Sequence, residues 1–191
     1  MSTGNGTEKT MARSYCFELI VLCGECGVRK SEACHLRWSD WIPEKGPHGA
    51  ILWRGEHQKN GQSRITPVTP LVREALEAHR DRVLADGKGV PGPDDPMFPA
   101  PKSDGSVRPD VAHTWFLRAE KGAGYEHRDQ GGFHELRRRW ASKRKHLSPV
   151  DVAKVGGWKD VKTMQRSYQH ADEETMERVM LDPGRQRTAR M

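Results

Sequence analysis

Apolar residues are most continuous near the N-terminus, where they predict a buried helix. From Ala12 to Cys26 the sequence is apolar on most sides of a helix, and Gly27 marks the end of that pattern. Ser31 then lies where its side-chain oxygen could cap a second short helix, SEACHLRW. The pattern therefore predicts two consecutive helices, with Arg29 at the corner between them.

Between Trp38 and Thr69 the pattern changes to short runs typical of β-strands. The runs are GAILWRG and SRITPVT, and the polar turns between them include Asn60-Gly61, a dipeptide that favours a hairpin. We expect a small antiparallel sheet here, with Lys59 at a turn.

Helical spacing returns after the sheet. Thr69-Pro70 supplies a cap and a first-turn proline, and apolar positions keep a helical stripe until Gly87. A further helix is predicted to end at Gly122, beyond a loop rich in proline, glycine and aspartate. Ser148 to Asp151 forms a capping box, and Gly156-Gly157 stops the helix that follows it. The predicted fold class is α+β, mainly α-helical, with a small antiparallel β-sheet near the N-terminal third.

The charge of the chain favours a polyanionic partner. The formal net charge is +6, the pI is about 9.3, and residues 134–147 concentrate six cations against one acid. These cations are Arg137, Arg138, Arg139, Lys143, Arg144 and Lys145. Some of them could bind phosphate, and a merely solvated basic face is the alternative.

Membrane and secretory classes find no support in the sequence. No apolar run approaches the roughly 20 residues needed to cross a bilayer, and the polar start lacks the apolar segment of a secretory signal. We therefore expect a cytoplasmic protein with no membrane partner.

Four cysteines lie in the first 34 residues: Cys16, Cys23, Cys26 and Cys34. Cys23 and Cys26 have the spacing of half a zinc site, but no second such pair follows. Cys16 and Cys23 belong to the apolar stretch YCFELIVLC, where cysteine acts as a small core residue. No metal and no cofactor is predicted, and a zinc module is kept as the last alternative.

The residues from His134 to Arg137 and Tyr168 form the first candidate for chemistry. A spacing of three places the His134 imidazole and the Arg137 guanidinium on one helix face, where they could hold a phosphate. Tyr168 follows in a polar segment, whereas Tyr15 lies in the apolar helix and Tyr125 in a glycine-flanked loop. Tyr168 is therefore the tyrosine best placed as an available phenol.

Four segments, in order, resemble the tyrosine recombinase family of the phage-integrase type. CGVRKSEACHLRWSDW is similar to the first box of the family and aligns its first catalytic arginine with Arg29. HQKNGQSRITPV resembles the hairpin that carries the catalytic lysine, here Lys59. HELRRRWAS resembles the second box, and GGWKDVKTMQRSYQH resembles the last box with its nucleophile at Tyr168.

This resemblance implies the catalytic-domain fold of the family and a metal-independent reaction that breaks and rejoins DNA. The catalytic residues it implies are Arg29, Lys59, His134, Arg137, Trp158 and Tyr168, with Glu32 in support. Tryptophan at Trp158 stands where many members have histidine, and an indole N–H can donate to a phosphate oxygen but cannot shuttle a proton.

Each assignment has a structural alternative. Arg29 could form only a salt bridge, for instance to Glu32, and Arg137 could be one more solvated cation. Lys59 could simply solubilise a hairpin tip, and His134 could cap its own helix. Trp158 could fill the core.

The resemblance also sets expectations for organisation and partners. We expect a flexible lead-in over residues 1–10, the catalytic domain over 11–182, a disordered basic tail over 183–191, and no N-terminal core-binding domain. The partner is double-stranded DNA, and the cations expected to bind it are Arg138, Arg139, Lys143, Arg144 and Lys145. On DNA we expect a homo-tetramer associated with the nucleoid, and in isolation a monomer. The alternatives are a non-catalytic DNA-binding relic of an integrase, or an enzyme like a type IB topoisomerase or a telomere resolvase.

Overall fold

The computed structural model describes residues 4–58, 61–87, 89–100, 105–127, 131–168 and 173–182. Over these ranges it contains eight α-helices, three β-strands and two short 3-10 turns at Trp38–Asp40 and Gly55–His57. The helices and strands are α1 (Gly4–Cys26), α2 (Lys30–Cys34), β1 (Trp41–Ile42), β2 (Ala50–Trp53), β3 (Arg64–Pro67), α3 (Pro70–Ala85), α4 (Pro109–Gly122), α5 (Phe133–Lys143), α6 (Pro149–Gly156), α7 (Val161–Tyr168) and α8 (Glu173–Leu181). The predicted class, mainly helical with a small antiparallel sheet, is confirmed.

The sheet has the order β1-β2-β3, and both pairs are antiparallel. Trp41 lies opposite Ile51, and Trp53 lies opposite Arg64. Because pairing stops at Trp53 and Arg64, the connection between β2 and β3 is a long loop rather than a two-residue turn. Gly61 has φ +68° in this loop, and its predicted neighbour in the turn, Asn60, lies outside the described residues.

Helix α1 runs through the main core and packs against α3, α4 and α5. Leu19, Leu22 and Cys23 on this helix are buried. A smaller second cluster forms beneath α5, α6 and α7 from Trp140, Ala141, Val152, Ala153, Trp158 and Met164. The second cluster joins the helix that carries His134 and Arg137 to the helix that ends at Tyr168.

All four cysteines are buried in the core, as the apolar stretch predicted for Cys16 and Cys23. Burial raises the pKa of the Cys16 thiol to about 11 and those of Cys26 and Cys34 to about 12. Each of these three thiols therefore stays protonated at neutral pH and packs as an apolar group.

Most predicted helix ends are confirmed. The Thr69 hydroxyl accepts a hydrogen bond from the backbone N–H of Val72 at 3.4 Å, and the Ser148 hydroxyl accepts one from Asp151 at 3.4 Å. Gly157, with φ +71°, ends α6 in the left-handed conformation that glycine adopts without strain.

Three predicted helix boundaries were wrong: the start of α1 and both ends of α2, which ends at Cys34 rather than at Trp38. Helix α1 begins at Gly4 rather than Ala12, so it includes residues 4–10 of the predicted lead-in. Extending an existing helix costs much less than nucleating one, and polar residues carry no apolar signal that would reveal the extension. Helix α2 begins at Lys30 with Arg29 in the cap position, so Ser31 lies inside the helix and does not cap it. The predicted tail, residues 183–191, lies outside the described residues.

None of the described helices combines the length and the apolar character needed to span a bilayer.

Candidate active site

Arg137 is the buried centre of the site. Arg137 is 1% exposed. Its Nη1 donates to the backbone carbonyl of Gly27 and, at 2.7 Å, to that of Gly156. These carbonyls lie just after α1 and at the end of α6, so one guanidinium on α5 fixes three helices together. The alternative that Arg137 is one more solvated cation is therefore wrong.

Trp158 forms a platform for Arg137. The Arg137 guanidinium carbon lies 3.7 Å from the centre of the Trp158 ring, a cation–π contact, and Trp158 itself stacks on Trp140 at 6.1 Å and 19°. Gly156 allows this arrangement because a Cβ there would overlap the Trp158 ring. Trp158 is 6% exposed, so it packs beneath the site as well as filling the second core. Its predicted hydrogen bond to phosphate stays a prediction.

Arg29 is partly exposed and contacts the turn that ends α6. Its Nη1 donates to Glu32 Oε1 at 2.8 Å and to the Gly157 carbonyl at 3.3 Å, and its side chain is 31% exposed. The salt bridge that the sequence offered as an alternative does form. The side chain still lines a pocket, so the salt bridge does not prevent ligand binding, and the binding role of Arg29 stays a prediction.

Glu32 is held by a second arginine that the sequence did not single out. The Glu32 side chain is 1% exposed, and its Oε2 accepts from Arg64 Nη2 at 2.8 Å. Arg64 also donates from Nε to the Val155 carbonyl at 3.0 Å and from Nη1 to Gln58 Oε1. The alternation of apolar and polar residues along β3 gave no signal for this role, because an arginine on a strand is ordinarily exposed to solvent.

Arg29, His134 and Arg137 line one pocket of about 280 Å³. Lys30 and His113 line it too, and sequence reasoning missed both. Lys30 adjoins Arg29 and could have been found in the same motif, whereas His113 on α4 has no sequence signal near it. A pocket bordered by two guanidinium groups and a lysine is suited to an anion such as phosphate.

His134 is exposed on the first turn of α5, next to these cations. Partial desolvation and the nearby charges of Arg138, Arg137 and Arg29 lower its pKa below the usual value. The imidazole is therefore neutral at pH 7 and has a lone pair that can accept a proton.

The two remaining predicted site residues are only partly described. Lys59 lies outside the described residues, but its neighbour Gln58 is buried and donates from Nε2 to the Trp53 carbonyl at 2.7 Å. Tyr168 is the last residue of α7, which packs against α5 and α6, and its side chain is outside the described part of the chain. The structure thus fixes the chain next to each residue and leaves both roles as predictions.

The five cations predicted to bind DNA do not have equal environments. Arg139 and Lys143 are exposed on α5, and Arg138 and Lys145 are partly buried. Arg144 lies 4.4 Å from the centre of the Trp140 ring and donates to the Trp140 carbonyl at 3.2 Å. Arg144 therefore contributes to packing, and Arg139 and Lys143 are the cations most available to a ligand.

The fold and the pocket define a helical protein with a cationic site suited to phosphate chemistry. The sequence pattern of the phage integrase family matches residues 2–175. The chain belongs to this family. It is also 33% identical over 162 residues to tyrosine recombinase XerC of Rhodospirillum centenum (strain ATCC 51521 / SW), an alignment that covers 84% of this chain and 40% of that protein.

Solved structures show the same fold. The crystal structure of XerA recombinase superposes with a TM-score of 0.68 at 17% identity, covering 93% of this chain and 61% of that one. The XerH site-specific recombinase bound to its difH substrate, in a pre-cleavage complex, gives a TM-score of 0.65 at 20% identity. This match covers 95% of this chain and 54% of that one. The predicted catalytic-domain fold is confirmed, and this chain spans between two fifths and about three fifths of these relatives.

Proposed function

We propose that this chain breaks and rejoins double-stranded DNA as the catalytic domain of a site-specific tyrosine recombinase, through a covalent link to Tyr168. The observation that carries the proposal is that Arg29, His134 and Arg137 line one pocket, although Arg29 lies far from the other two in sequence. Membership of the phage integrase family supports the same conclusion.

Arg29 and Arg137 stabilise the charge that develops during cleavage. A phosphodiester under attack passes through a pentavalent transition state with added negative charge on its oxygens. Fixed guanidinium groups suit this task because they stay protonated and meet phosphate oxygens in a planar fork. Arg137 is held by two carbonyls and an indole ring, so it needs little reorganisation when the charge appears.

Tyr168 supplies the nucleophile. Its phenolate oxygen attacks the phosphorus, a 3′-phosphotyrosyl bond forms, and the bond to the 5′ oxygen breaks. Neutral His134 accepts the phenol proton or orients the phosphate, and Lys59 gives a proton to the departing 5′ oxygen. The free 5′ hydroxyl of a second strand reverses the step, which conserves the bond energy for rejoining.

The exposed cations of α5 bind the DNA backbone. Arg139 and Lys143 provide contacts to phosphates outside the cleavage pocket, with partly buried Arg138 and Lys145 beside them. On DNA we expect a homo-tetramer and in isolation a monomer. Exposed apolar residues on α8, namely Met176, Val179, Met180 and Leu181, support assembly between copies. Sedimentation with and without DNA tests this state.

The function is tested by trapping a covalent adduct on nicked duplex DNA. Cleavage near the nick releases a short strand with the 5′ hydroxyl, so the cleaved DNA cannot be rejoined. We expect the chain to form a protein–DNA adduct, and Tyr168→Phe to abolish it while DNA affinity stays within about a few-fold, because one hydroxyl adds little to contacts made mainly with phosphates. Tyr125→Phe is the matched control: Tyr125 is 72% exposed in a loop, so this variant should form adduct at the wild-type rate.

An adduct with Tyr168→Phe would place the nucleophile elsewhere. Binding of DNA without any adduct from the wild-type chain would favour the non-catalytic relic. Adduct formation with relaxation or hairpin products, but no strand transfer, would favour the topoisomerase or telomere resolvase alternatives.

A further inference from the structure

Arg64 is a cation with no role in the mechanism above, and it is almost completely buried. Its side chain is 10% exposed, although it lies on β3 at an edge of the sheet. Its guanidinium donates to three groups from different segments: the Glu32 carboxylate, the Gln58 side-chain oxygen and the Val155 carbonyl. Burying a charge this far needs matched partners, and Arg64 has one for each of its nitrogens.

Each of these partners adjoins a residue of the proposed site. Glu32 holds Arg29 through its other oxygen at 2.8 Å. Gln58 immediately precedes Lys59. Val155 precedes the turn at Gly157, whose carbonyl accepts from Arg29 at 3.3 Å. A Cβ at Gly157 would overlap the Arg64 guanidinium, so this turn packs directly against Arg64.

The loop that carries Lys59 is anchored at the same point. Gly55 donates to the Ser63 hydroxyl at 2.9 Å, Gln58 donates to the Gly55 carbonyl at 2.9 Å, and Gly61 donates to the Gln58 carbonyl at 3.0 Å. Gln58 is therefore a buried anchor for the described residues on both sides of Lys59 and Asn60, and Arg64 binds its side chain. Loss of Arg64 would release the loop on one side and leave the buried Glu32 carboxylate with Arg29 alone.

We propose that Arg64 is a positioning residue that fixes the Arg29 clamp and the Lys59 loop in one arrangement, so that both reach the same phosphodiester. This inference rests on the proposed function of the site. Arg64 acts through Glu32 and Gln58, and it is absent from the described lining of the pocket. Its planar fork suits this role because three separate nitrogens each reach a partner on a different segment, whereas an ammonium group donates all its protons from one atom.

The test compares Arg64→Met with Arg82→Met on nicked DNA. Arg82 pairs with another buried carboxylate, Glu18, on α1, so its loss also strands a buried acid but leaves the site untouched. We expect Arg64→Met to slow adduct formation by about a hundred-fold, the scale of loss when reacting groups are misplaced by about 1 Å. Arg82→Met should stay within about three-fold of wild type at a temperature where melting curves show all three proteins folded.

A 5′-phosphorothiolate substrate gives a readout that a general loss of stability would not change. A thiolate leaves without a donated proton, so this substrate should recover about ten-fold or more of the Arg64→Met rate if the Lys59 loop has moved. Arg64→Lys keeps a positive charge for Glu32, so its rate of adduct formation on ordinary DNA should be intermediate. This rate should still rise on the phosphorothiolate substrate. The proposal would be overturned if Arg64→Met and Arg82→Met slowed adduct formation equally. It would also be overturned if the phosphorothiolate substrate did not speed adduct formation by Arg64→Met.

Amide hydrogen exchange separates this inference from the proposed function, because it needs no cleavage. Arg64→Met should speed exchange at Gly55, Gln58 and Gly61 by about ten-fold or more, whereas Arg82→Met should leave these amides unchanged. Unchanged exchange at these amides in Arg64→Met would refute the positioning role even if cleavage slowed. Faster exchange in a chain whose wild type forms no adduct would uphold the positioning role and reject the recombinase function.

Discussion

His79 illustrates how the surroundings of a single residue set its protonation. Its ring stacks on Trp38 at 5.4 Å and on Phe98 at 5.2 Å, and its Nε2 faces the Met97 carbonyl at 2.8 Å. Burial, with a smaller effect from Arg82, lowers its pKa from 6.5 to about 4. The pKa of His134, which is exposed and lines the pocket, is also lowered, by partial desolvation and then by the neighbouring arginines, so the same direction of shift occurs in two different surroundings.

The buried His79 predicts a pH dependence of stability. Because its folded-state pKa lies below the unfolded one, the unfolded chain takes up the proton first as the pH falls. The stability that neutral His79 contributes is present above about pH 6.5 and is lost as the pH falls toward about 4. We expect this residue to add up to about 1.4 kcal/mol per pH unit to the slope of unfolding free energy within that window.

Urea unfolding from pH 5 to pH 8 measures this slope. His79→Phe should lower stability at pH 8, since the hydrogen bond to Met97 is lost, but should flatten the pH dependence. His146→Gln, a change at an exposed histidine, should leave the wild-type slope. If His79→Phe kept the wild-type slope between pH 5 and pH 6.5, the depressed pKa of His79 would be wrong.

At the scale of elements, glycines at helix ends let the site close. A Cβ at Gly27 would overlap the Trp140 ring, one at Gly156 the Trp158 ring, and one at Gly157 the Arg64 guanidinium. The end of α1, the face of α5 and the end of α6 can therefore approach until Arg137 reaches the Gly27 and Gly156 carbonyls. Close backbone approach, rather than turn formation alone, explains these glycines.

Gly156→Ala should displace Trp158 from beneath Arg137. We expect a loss of about 1–3 kcal/mol of unfolding free energy, typical of overpacking, and slower adduct formation. Gly24→Ala is the matched helical control: its Cβ would meet no atom within 4 Å, so it should be neutral or stabilise by about 0.5–1 kcal/mol. Urea unfolding and the nicked-DNA assay measure both. Equal stability of the two variants would show that the Trp158 ring can move freely, against the platform inferred here.

At the scale of the whole molecule, the excess of positive charge is divided between two tasks. Arg137 and Arg64 hold elements together and Arg144 packs on Trp140 of its own helix, whereas Arg139 and Lys143 are exposed on α5. Contacts between exposed cations and phosphates give electrostatic binding that weakens with salt and carries little sequence information. Net charge alone therefore overstates the number of cations available to DNA.

Two identical changes of charge on α5 test this division. Arg139→Gln should reduce the salt dependence of DNA binding by about one unit of logarithmic slope and leave stability unchanged. Arg144→Gln should instead lower unfolding free energy by about 1 kcal/mol, because its guanidinium is lost from the Trp140 ring. Binding titrations from low to moderate salt, beside urea unfolding, measure both. The division would fail if Arg144→Gln changed the salt slope as much as Arg139→Gln.

The sequence by itself determined the class of most elements, the caps at Thr69 and Ser148, and the family. Periodicity, glycine and the cap residues Thr69 and Ser148 act over a few neighbouring positions, so they can be read locally. The resemblance carried the positions of Arg29, His134 and Arg137, and the structure brings these three to one pocket.

Only the tertiary structure decided which cations the molecule uses to hold its site together. Arg64 bonds a carbonyl 91 residues away, and Arg137 bonds one 110 residues away. Arg144 differs from Arg139 in the same basic run for a local reason, because it packs on Trp140 four residues earlier, whereas Arg139 is exposed. A local pattern specifies which face of an element is apolar, but the partner of a buried charge is chosen by distant segments that meet only when the core closes.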